Sequence, residues 1–308
     1  MSQTSLTAGN TENPLVAVLL MSVAMLMVPM MDTIARFLSA DLPPLLITFG
    51  RFLFQFLISL AVIVVTGRFA CLRGRQTVVN YLRGLFLATA SLCFFIAIKY
   101  MSVATAISIF FVEPMILTIL AALVLKERVG PRRIGAVLVG LAGAMIILRP
   151  NIAEFGLISL LPVCTAVLFA FYLIINRLYP VTDNLLTVQL SAGLSGSLLL
   201  GSALLVGTAA GFDGMETVLP DGSQTLLLFT IGLISFAAHG LVVAAFQRGS
   251  ASLLAPLQYL EIVGATLFGY LVFTEFPDGP TWAGIALIIA SGLYIAHRER
   301  LQKTVVSG

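Results

Sequence analysis

Two glutamates invite a chemical question first. Glu113 and Glu261 each fall inside an apolar run, about ten residues from either end. A charge at the centre of a membrane-spanning helix costs about 2.5–3.5 kcal/mol on insertion scales. Carboxyls kept against that cost can bind polar groups of a solute or take up and release protons. The competing reading is structural, with protonated acids that hydrogen-bond a neighbouring helix and fix a seam. Pro114 favours the first reading, because proline removes a backbone donor and opens carbonyls to a ligand. In the other run the proline is Pro256, five residues before Glu261.

Asp32 and Arg36 lie one helical turn apart, and Arg51 falls at similar depth in the next run. An ion pair of Asp32 with Arg51 or Arg36 would lower the membrane cost and could gate one mouth of a cavity. The blander alternative is a structural pair with Arg36 extending to the interface. Tyr100, Tyr172, Asn176, His239, Gln258 and Tyr259, at moderate depth, are candidate cavity linings, and an aromatic wall suits a planar solute. Of these, Tyr172, Asn176, His239, Gln258 and Tyr259 join Glu113, Glu261, Asp32 and Arg51 as the candidate substrate-binding set. Glu127 and Glu275 sit in loops and are expected to cap or pair locally. No catalytic residue, metal ligand or cofactor is expected.

The elements that must position these residues are membrane helices. The chain has 308 residues, 59% hydrophobic and 10% charged, with mean hydropathy +1.05, whereas soluble domains are about 25% charged. A bilayer core needs about 20 apolar residues per helix, which leaves room for about ten spans and no separate soluble domain. The fold class expected is therefore all-α integral membrane. The spans are placed at roughly Pro14 to Phe37, Pro43 to Thr66, Val78 to Ile98, Ser102 to Leu125, Arg133 to Leu148, Phe155 to Arg177, Asn184 to Ala210, Ser223 to Gln247, Ala251 to Phe273 and Thr281 to His297. Residues 1–13 and 299–308 read as polar tails, and 14–149 and 155–298 as the two halves.

Net charge is +3, and the position of the charges says more than their sum. With the amino terminus inside, the even-numbered loops and the tail gather Arg68, Arg73, Arg75, Arg83, Lys126, Arg128, Arg132, Arg133, Arg177, Arg248, Arg298, Arg300 and Lys303. The opposite side keeps only Lys99 and Arg149. That asymmetry places both termini in the cytoplasm. Three cysteines, Cys71, Cys93 and Cys164, lie in a basic loop and two apolar spans, which argues against a disulfide framework. A chain this apolar is not a nucleic-acid binder.

Sliding the sequence by 148 residues superposes Glu113 on Glu261, Glu127 on Glu275, Gly84 on Gly232 and Ser102 on Ser250. Five spans per copy is an odd number, so the second copy must enter the membrane upside down. The loops agree: Lys126-Glu127-Arg128 becomes Thr274-Glu275-Phe276, with its positive charges gone. Inverted repeats of this kind place transport sites at the midplane between the copies. Each glutamate follows a serine by eleven residues, Ser102 or Ser250, so a polar stripe is expected along both helices. Small residues such as Gly193, Ser197 and Gly201, or Gly140 with Ala144, read as packing seams.

A reading from another class rests on Gly193-Leu194-Ser195-Gly196 and His239, which match the serine and histidine of rhomboid intramembrane proteases. A nucleophilic serine needs a base within hydrogen-bond reach, and the repeat has no reason to appear in that architecture. A non-transporting membrane scaffold is the remaining alternative.

Together these residues resemble the drug/metabolite transporter superfamily, in particular its ten-helix EamA-type carriers, over nearly the whole chain. The resemblance is carried by Asp32 to Arg36, Arg51-Phe52, Glu113-Pro114, Lys126-Glu127-Arg128 and Arg149-Pro150. It implies a bacterial inner-membrane carrier in which helices 1–4 and 6–9 surround a cavity while helices 5 and 10 stand outside it. It further implies alternating access to that cavity for a small organic metabolite: a vitamin such as riboflavin, a nucleoside, an amino acid or S-adenosylmethionine. The chain lacks a Walker A loop, so protons or a substrate gradient are the more economical energy source. The partners expected are the solute, the bilayer and protons, with a homodimer left open.

Overall fold

The computed structural model describes residues 14–126, 131–179, 182–212, 218–246, 248 and 254–306. Every regular element among them is helical: α1 (Pro14–Leu38), α2 (Pro44–Val65), α3 (Thr77–Tyr100), α4 (Val103–Phe110), α5 (Glu113–Val124), α6 (Pro131–Phe155), α7 (Leu161–Leu178), α8 (Leu185–Ala210), α9 (Gly222–Phe246), α10 (Leu260–Phe273) and α11 (Gly279–Val306). Short 3-10 segments occupy Phe69–Leu72, Gly156–Leu160 and Ala255–Tyr259. Counting α4 with α5, and Ala255–Tyr259 with α10, as single crossings gives ten. Seven apolar segments of 22–26 residues are each long enough to span a bilayer, and shorter apolar helices cover Ile134–Ile147, Leu257–Phe273 and Gly279–Ser291. Because ten is even, α1 begins and α11 ends on the same side, called the near side below.

Backbone and hydroxyl groups in lipid must be satisfied within the protein. Prolines open several helices where their missing N–H costs nothing, as at Pro44 and Pro114. Ser102 Oγ caps α4 by accepting from Thr105 N at 3.1 Å, and Asn184 caps α8 by accepting from Leu186 N at 2.9 Å. Inside the helices, hydroxyls donate back to the carbonyl four residues earlier, as Thr33 does to Pro29 O and Ser108 to Ala104 O.

The halves pack as an inverted pair. α1 packs on α9 as α3 packs on α7; α2 packs on α9 as α3 packs on α8; α1 packs on α10 as α5 packs on α7. The two remaining large contacts, α2 with α8 and α6 with α11, join equivalent crossings. Exchanging each crossing for the one five places on thus returns the same set of pairs. The backbone repeats the symmetry: the non-glycine residues with positive φ among those described are Lys126 (55°) and Thr274 (58°), at equivalent positions 148 apart. Gly84 and Gly232 are equivalent close approaches as well. A Cβ at Gly84 would lie 2.6 Å from Ala192 Cα of α8, and one at Gly232 would lie 2.5 Å from Phe54 Cβ of α2.

Several details depart from expectation. The fourth span is broken: α4 ends at Phe110 and α5 begins at Glu113. The ninth breaks similarly, a 3-10 segment giving way to α10 at Leu260. Ser102 and Glu113 therefore do not share one continuous helical face, and Ser102 is a cap; Ser250, Glu127 and Arg128 lie outside the described residues. α6 is longer than expected, and α11 runs on to Val306. Arg83, grouped above with the loops, lies within α3 and is 1% exposed. Its Nη1 donates to Asn80 Oδ1 at 2.5 Å, and its Nη2 donates to the Tyr179 carbonyl. Asn80 in turn donates to Asp183 Oδ2 at 2.8 Å, and Asp183 also accepts from the backbone N–H of Arg75 (2.8 Å) and Gln76 (3.0 Å). Asp183 thus ties the loop after α7 to the start of α3 on the near side.

Candidate functional site

Both helix breaks put a glutamate in the first turn of a half-helix. Glu113 opens α5, and Glu261 lies in the first turn of α10. Unpaired N–H groups and the helix dipole favour a carboxylate there. Pro114 has no N–H, so the Phe110 carbonyl loses the donor a continuous helix would supply. The crossing Val103–Val124 puts Glu113 about 15 Å from either end at 1.5 Å per residue. At the junction the equivalent residues Phe111 and Tyr259 face each other, ring centroids 5.1 Å apart.

A cavity of about 770 Å³ opens beside these breaks, within the range of small-molecule sites. All nine residues of the sequence-based set, Asp32, Arg51, Glu113, Tyr172, Asn176, His239, Gln258, Tyr259 and Glu261, lie on its wall. Tyr100 does not; it is 48% exposed at the end of α3. Helix 7 of the family plan, here α8, contributes no lining residue, while helix 10, here α11, contributes Leu293. α8 is held outside by α2 and α3: a Cβ at Gly193 would lie 2.8 Å from Phe56 N, and Gly196 abuts Phe52. Sequence reasoning also missed Ser91 and Ser235. Register offered a signal for the first, since Ser91 and His239 are 148 apart.

Arg51 is 6% exposed and anchored by a directional network. Its Nη1 donates to Ser91 Oγ at 2.6 Å. The one Ser91 hydroxyl hydrogen goes to Leu87 O at 2.8 Å, so the oxygen is left to accept from the cation. Arg51 Nε donates to Ser235 Oγ (3.3 Å), Ser235 to Gln55 Oε1 (3.1 Å), Gln55 to Gln189 Oε1 (3.3 Å) and Gln189 to Phe236 O (3.2 Å). The guanidinium also rests on Phe52 and Phe95, at 5.1 and 5.9 Å from the ring centroids. His239 Nδ1 lies 2.8 Å from Ser235 O; a carbonyl can only accept, so this nitrogen carries the hydrogen.

Asp32, expected to pair with Arg51 or Arg36, pairs with neither. It is 3% exposed and makes no hydrogen bond or salt bridge among the described residues, although its charge and that of Arg51 act on each other. Glu261 feels both Asp32 and Glu113, so the acids form one electrostatic group. Arg36 instead pairs with Glu275, 239 residues away, through two hydrogen bonds, Nη2 to Oε1 at 2.6 Å and Nη1 to Oε2. Arg36 also lies 4.4 Å above the Phe273 ring. The local pairing expected for Glu275 is overturned because the positive φ of Thr274 ends α10 with a turn that brings Glu275 to α1.

The cavity is asymmetric along the membrane axis. On the near side its wall reaches Met21, Asn176, Val242 and the exposed Gln258. Toward the far side it ends at Asp32, Arg51 and Phe95. Beyond them Leu38, Leu42, Ile98 and Met101, each at most 1% exposed, close one apolar cluster, and the Arg36–Glu275 pair lies over it. Ser195 is no nucleophile for His239. It faces Gly84 at the α3–α8 crossing and bonds Ala192 O at 3.2 Å.

The chain is similar to known proteins along nearly its whole length. The "Riboflavin transporter" of Vibrio cholerae serotype O1 is 30% identical over 297 residues, covering 93% of this chain and 95% of the relative. The "S-adenosylmethionine uptake transporter" of Rickettsia bellii is 29% identical over 269 residues, covering 87% and 89%. One crystal structure shares the fold at TM-score 0.62 and 23% identity, over 91% of this chain and 96% of that one. Residues 15–149 and 156–296 each match the EamA-like transporter family. With a family domain in each half, ten helical crossings and a cavity between them, this multi-pass membrane chain belongs to the EamA-like transporter family of the drug/metabolite transporter superfamily, a small-metabolite transporter and not an enzyme.

Proposed function

We propose that the protein is a secondary transporter that carries a small organic metabolite across the bacterial inner membrane by alternating access, with the cavity between the halves as the transport site. The observation that carries this reading is a cavity of about 770 Å³ walled by both broken crossings, reaching the near side and closed on the far side by an ion pair and an apolar cluster. Inverted halves supply a second arrangement: whatever one half does on the near side, its equivalent can do on the far side. With the near side cytoplasmic, as the distribution of Lys and Arg favours, a cavity that reaches that side supports reading this arrangement as inward-facing. The names of the relatives nominate S-adenosylmethionine and riboflavin as cargo types. Glu113, Glu261, Asp32, Arg51, Tyr172, Asn176, His239, Gln258 and Tyr259 are the proposed substrate-contacting residues. Glu261 lies within electrostatic reach of both Asp32 and Glu113, and carboxyls so placed repel when ionised, so proton movement is the natural partner of substrate movement here.

The test is solute counterflow in proteoliposomes with a panel of S-adenosylmethionine, riboflavin, nucleosides and aromatic amino acids. At least one should accumulate saturably, and an imposed pH gradient should change the rate. Flux from every panel member equal to that of protein-free vesicles would contradict the reading. A reporter fused after Gly308 should be active only in the cytoplasm; activity outside would invert the orientation.

A further inference from the structure

The cavity wall carries a positive and a negative pole, each with polar atoms that no described residue takes up. At one pole is Arg51. Ser91 and Ser235 use Nη1 and Nε, while Nη2 makes no hydrogen bond among the described residues. Asp32, whose charge acts on Arg51, makes no salt bridge with it among the described residues, so the guanidinium is held by Ser91 and Ser235 with one nitrogen uncommitted. At the other pole are Asp32 and Glu261, neither of which makes a hydrogen bond or ion pair among the described residues. A carboxylate 3% exposed and without a donor is costly, and a cation brought in by a ligand relieves that cost. Lining the same space, the rings of Phe169 and Tyr172 lie 5.4 Å apart, and those of Phe111 and Tyr259 5.1 Å apart. On the same wall Asn176 Oδ1 is a buried acceptor with no partner among the described residues, which asks for an N–H donor.

We infer that this site selects a zwitterion: a solute whose carboxylate is taken by Arg51, whose adjacent cationic centre sits against Asp32 and Glu261, and whose planar ring, carrying an N–H donor for Asn176, stacks on the aromatic wall. This inference rests on the transporter reading and narrows its cargo. It separates the two chemistries that the relatives nominate. S-adenosylmethionine carries a carboxylate, an ammonium, a sulfonium and an aminopurine. Riboflavin has a planar ring and hydroxyls but neither a carboxylate nor a fixed cation, so it would leave both poles unpaired, and unpaired buried charges are what a polar site rejects most strongly.

The experiment compares three probes in proteoliposomes: S-adenosylmethionine, its decarboxylated analogue and riboflavin, each competing against labelled S-adenosylmethionine in counterflow. In the wild type the decarboxylated analogue should bind about 10- to 100-fold more weakly than the parent, the loss of one charge-assisted contact, and riboflavin should compete more weakly than the parent. Arg51→Gln should weaken the parent and erase its advantage over the decarboxylated analogue, whereas Arg51→Lys should retain part of it. A purely structural arginine would lower all probes together, leaving their ratio intact in both variants, and that outcome overturns the inference. Saturable riboflavin counterflow with no S-adenosylmethionine flux also overturns it while leaving the transporter reading standing. Absence of saturable flux for these probes and for the wider panel brings down both.

Discussion

Glu275→Gln should unlatch the far side. The ion pair it removes joins Arg36 of α1 to the turn after α10, two elements that belong to opposite halves. The Arg36 side chain is 14% exposed and that of Glu275 is 38%, so the pair lies between a solvated surface bridge and a buried one. Exposed pairs contribute about 0.2–1 kcal/mol, and hydrogen bonds to charged groups about 1.5–3 kcal/mol. Two parallel bonds with partial exposure put the loss near 1–2 kcal/mol, or about a 5- to 30-fold change in the ratio of far-closed to far-open molecules. Arg36 keeps its stacking on Phe273 in the variant, so the fold itself should survive. Spin labels on cysteines introduced at Ala40 and Phe276, both exposed near that mouth, report the distance by pulsed electron resonance once Cys71, Cys93 and Cys164 are replaced. The parent should show one dominant short distance, and Glu275→Gln should add a longer population. The charge swap Arg36→Glu with Glu275→Arg should restore the short one. An unchanged distribution in a folded Glu275→Gln protein would refute the latch.

Other outcomes follow from the same geometry. Glu113→Gln and Glu261→Gln should each abolish coupled flux in proteoliposomes while eluting as folded protein in detergent; full transport by the double variant would remove both from the mechanism. Gly84→Ala should cost about 1–3 kcal/mol by overpacking and lower the melting temperature, because the new Cβ meets the backbone of Ala192 as well as Ser195 Oγ, and the backbone cannot step aside as the hydroxyl can; Gly222→Ala, with nothing within 4 Å of its Cβ, is the neutral control. Burial works to raise the Asp183 pKa, but the backbone N–H of Arg75 and Gln76, the Asn80 amide and the charge of Arg75 outweigh it and hold the carboxyl below its usual range. Its contribution to stability is therefore complete above the unfolded pKa of about 3.9 and lost as pH falls through the lower folded value. The melting-temperature deficit of Asp183→Asn at pH 7 should shrink below about pH 4, and a constant deficit would exclude the charge as its cause.

The sequence carried the architecture because the bilayer imposes it. Apolar runs of helical length can only be crossings, and the 148-residue register needed just Glu113 with Glu261 and Glu127 with Glu275 to show itself. The breaks before α5 and α10 were half legible. Pro114 and Pro256 marked the places, but a proline can also open a continuous helix, and the first-turn position of each glutamate depends on where the preceding segment stops. What stayed hidden was pairing at a distance. Arg36 has Asp32 one turn before it, and nothing local says that its partner is Glu275; that contact follows from the positive φ at Thr274 and the packing of α1 on α10. Arg83 counts with the near-side loop cations although the span expected from Val78 to Ile98 contains it, and its burial against Asn80 and the Tyr179 carbonyl depends on partners the sequence does not name. The place of α8 outside the cavity was likewise not written in its hydropathy, since Gly193 and Gly196 mark close approach without saying to which helix.

The central claim is that solute passes through the cavity between the halves, and a removable plug at the cavity wall tests it most directly. Leu117→Cys places a thiol on that wall in a protein otherwise free of cysteine. Counterflow of the panel solute that the parent carries should fall to the level of empty vesicles after quantitative reaction with a bulky maleimide, and saturating solute should slow that reaction. Undiminished counterflow by the fully labelled protein would mean that the solute takes another route.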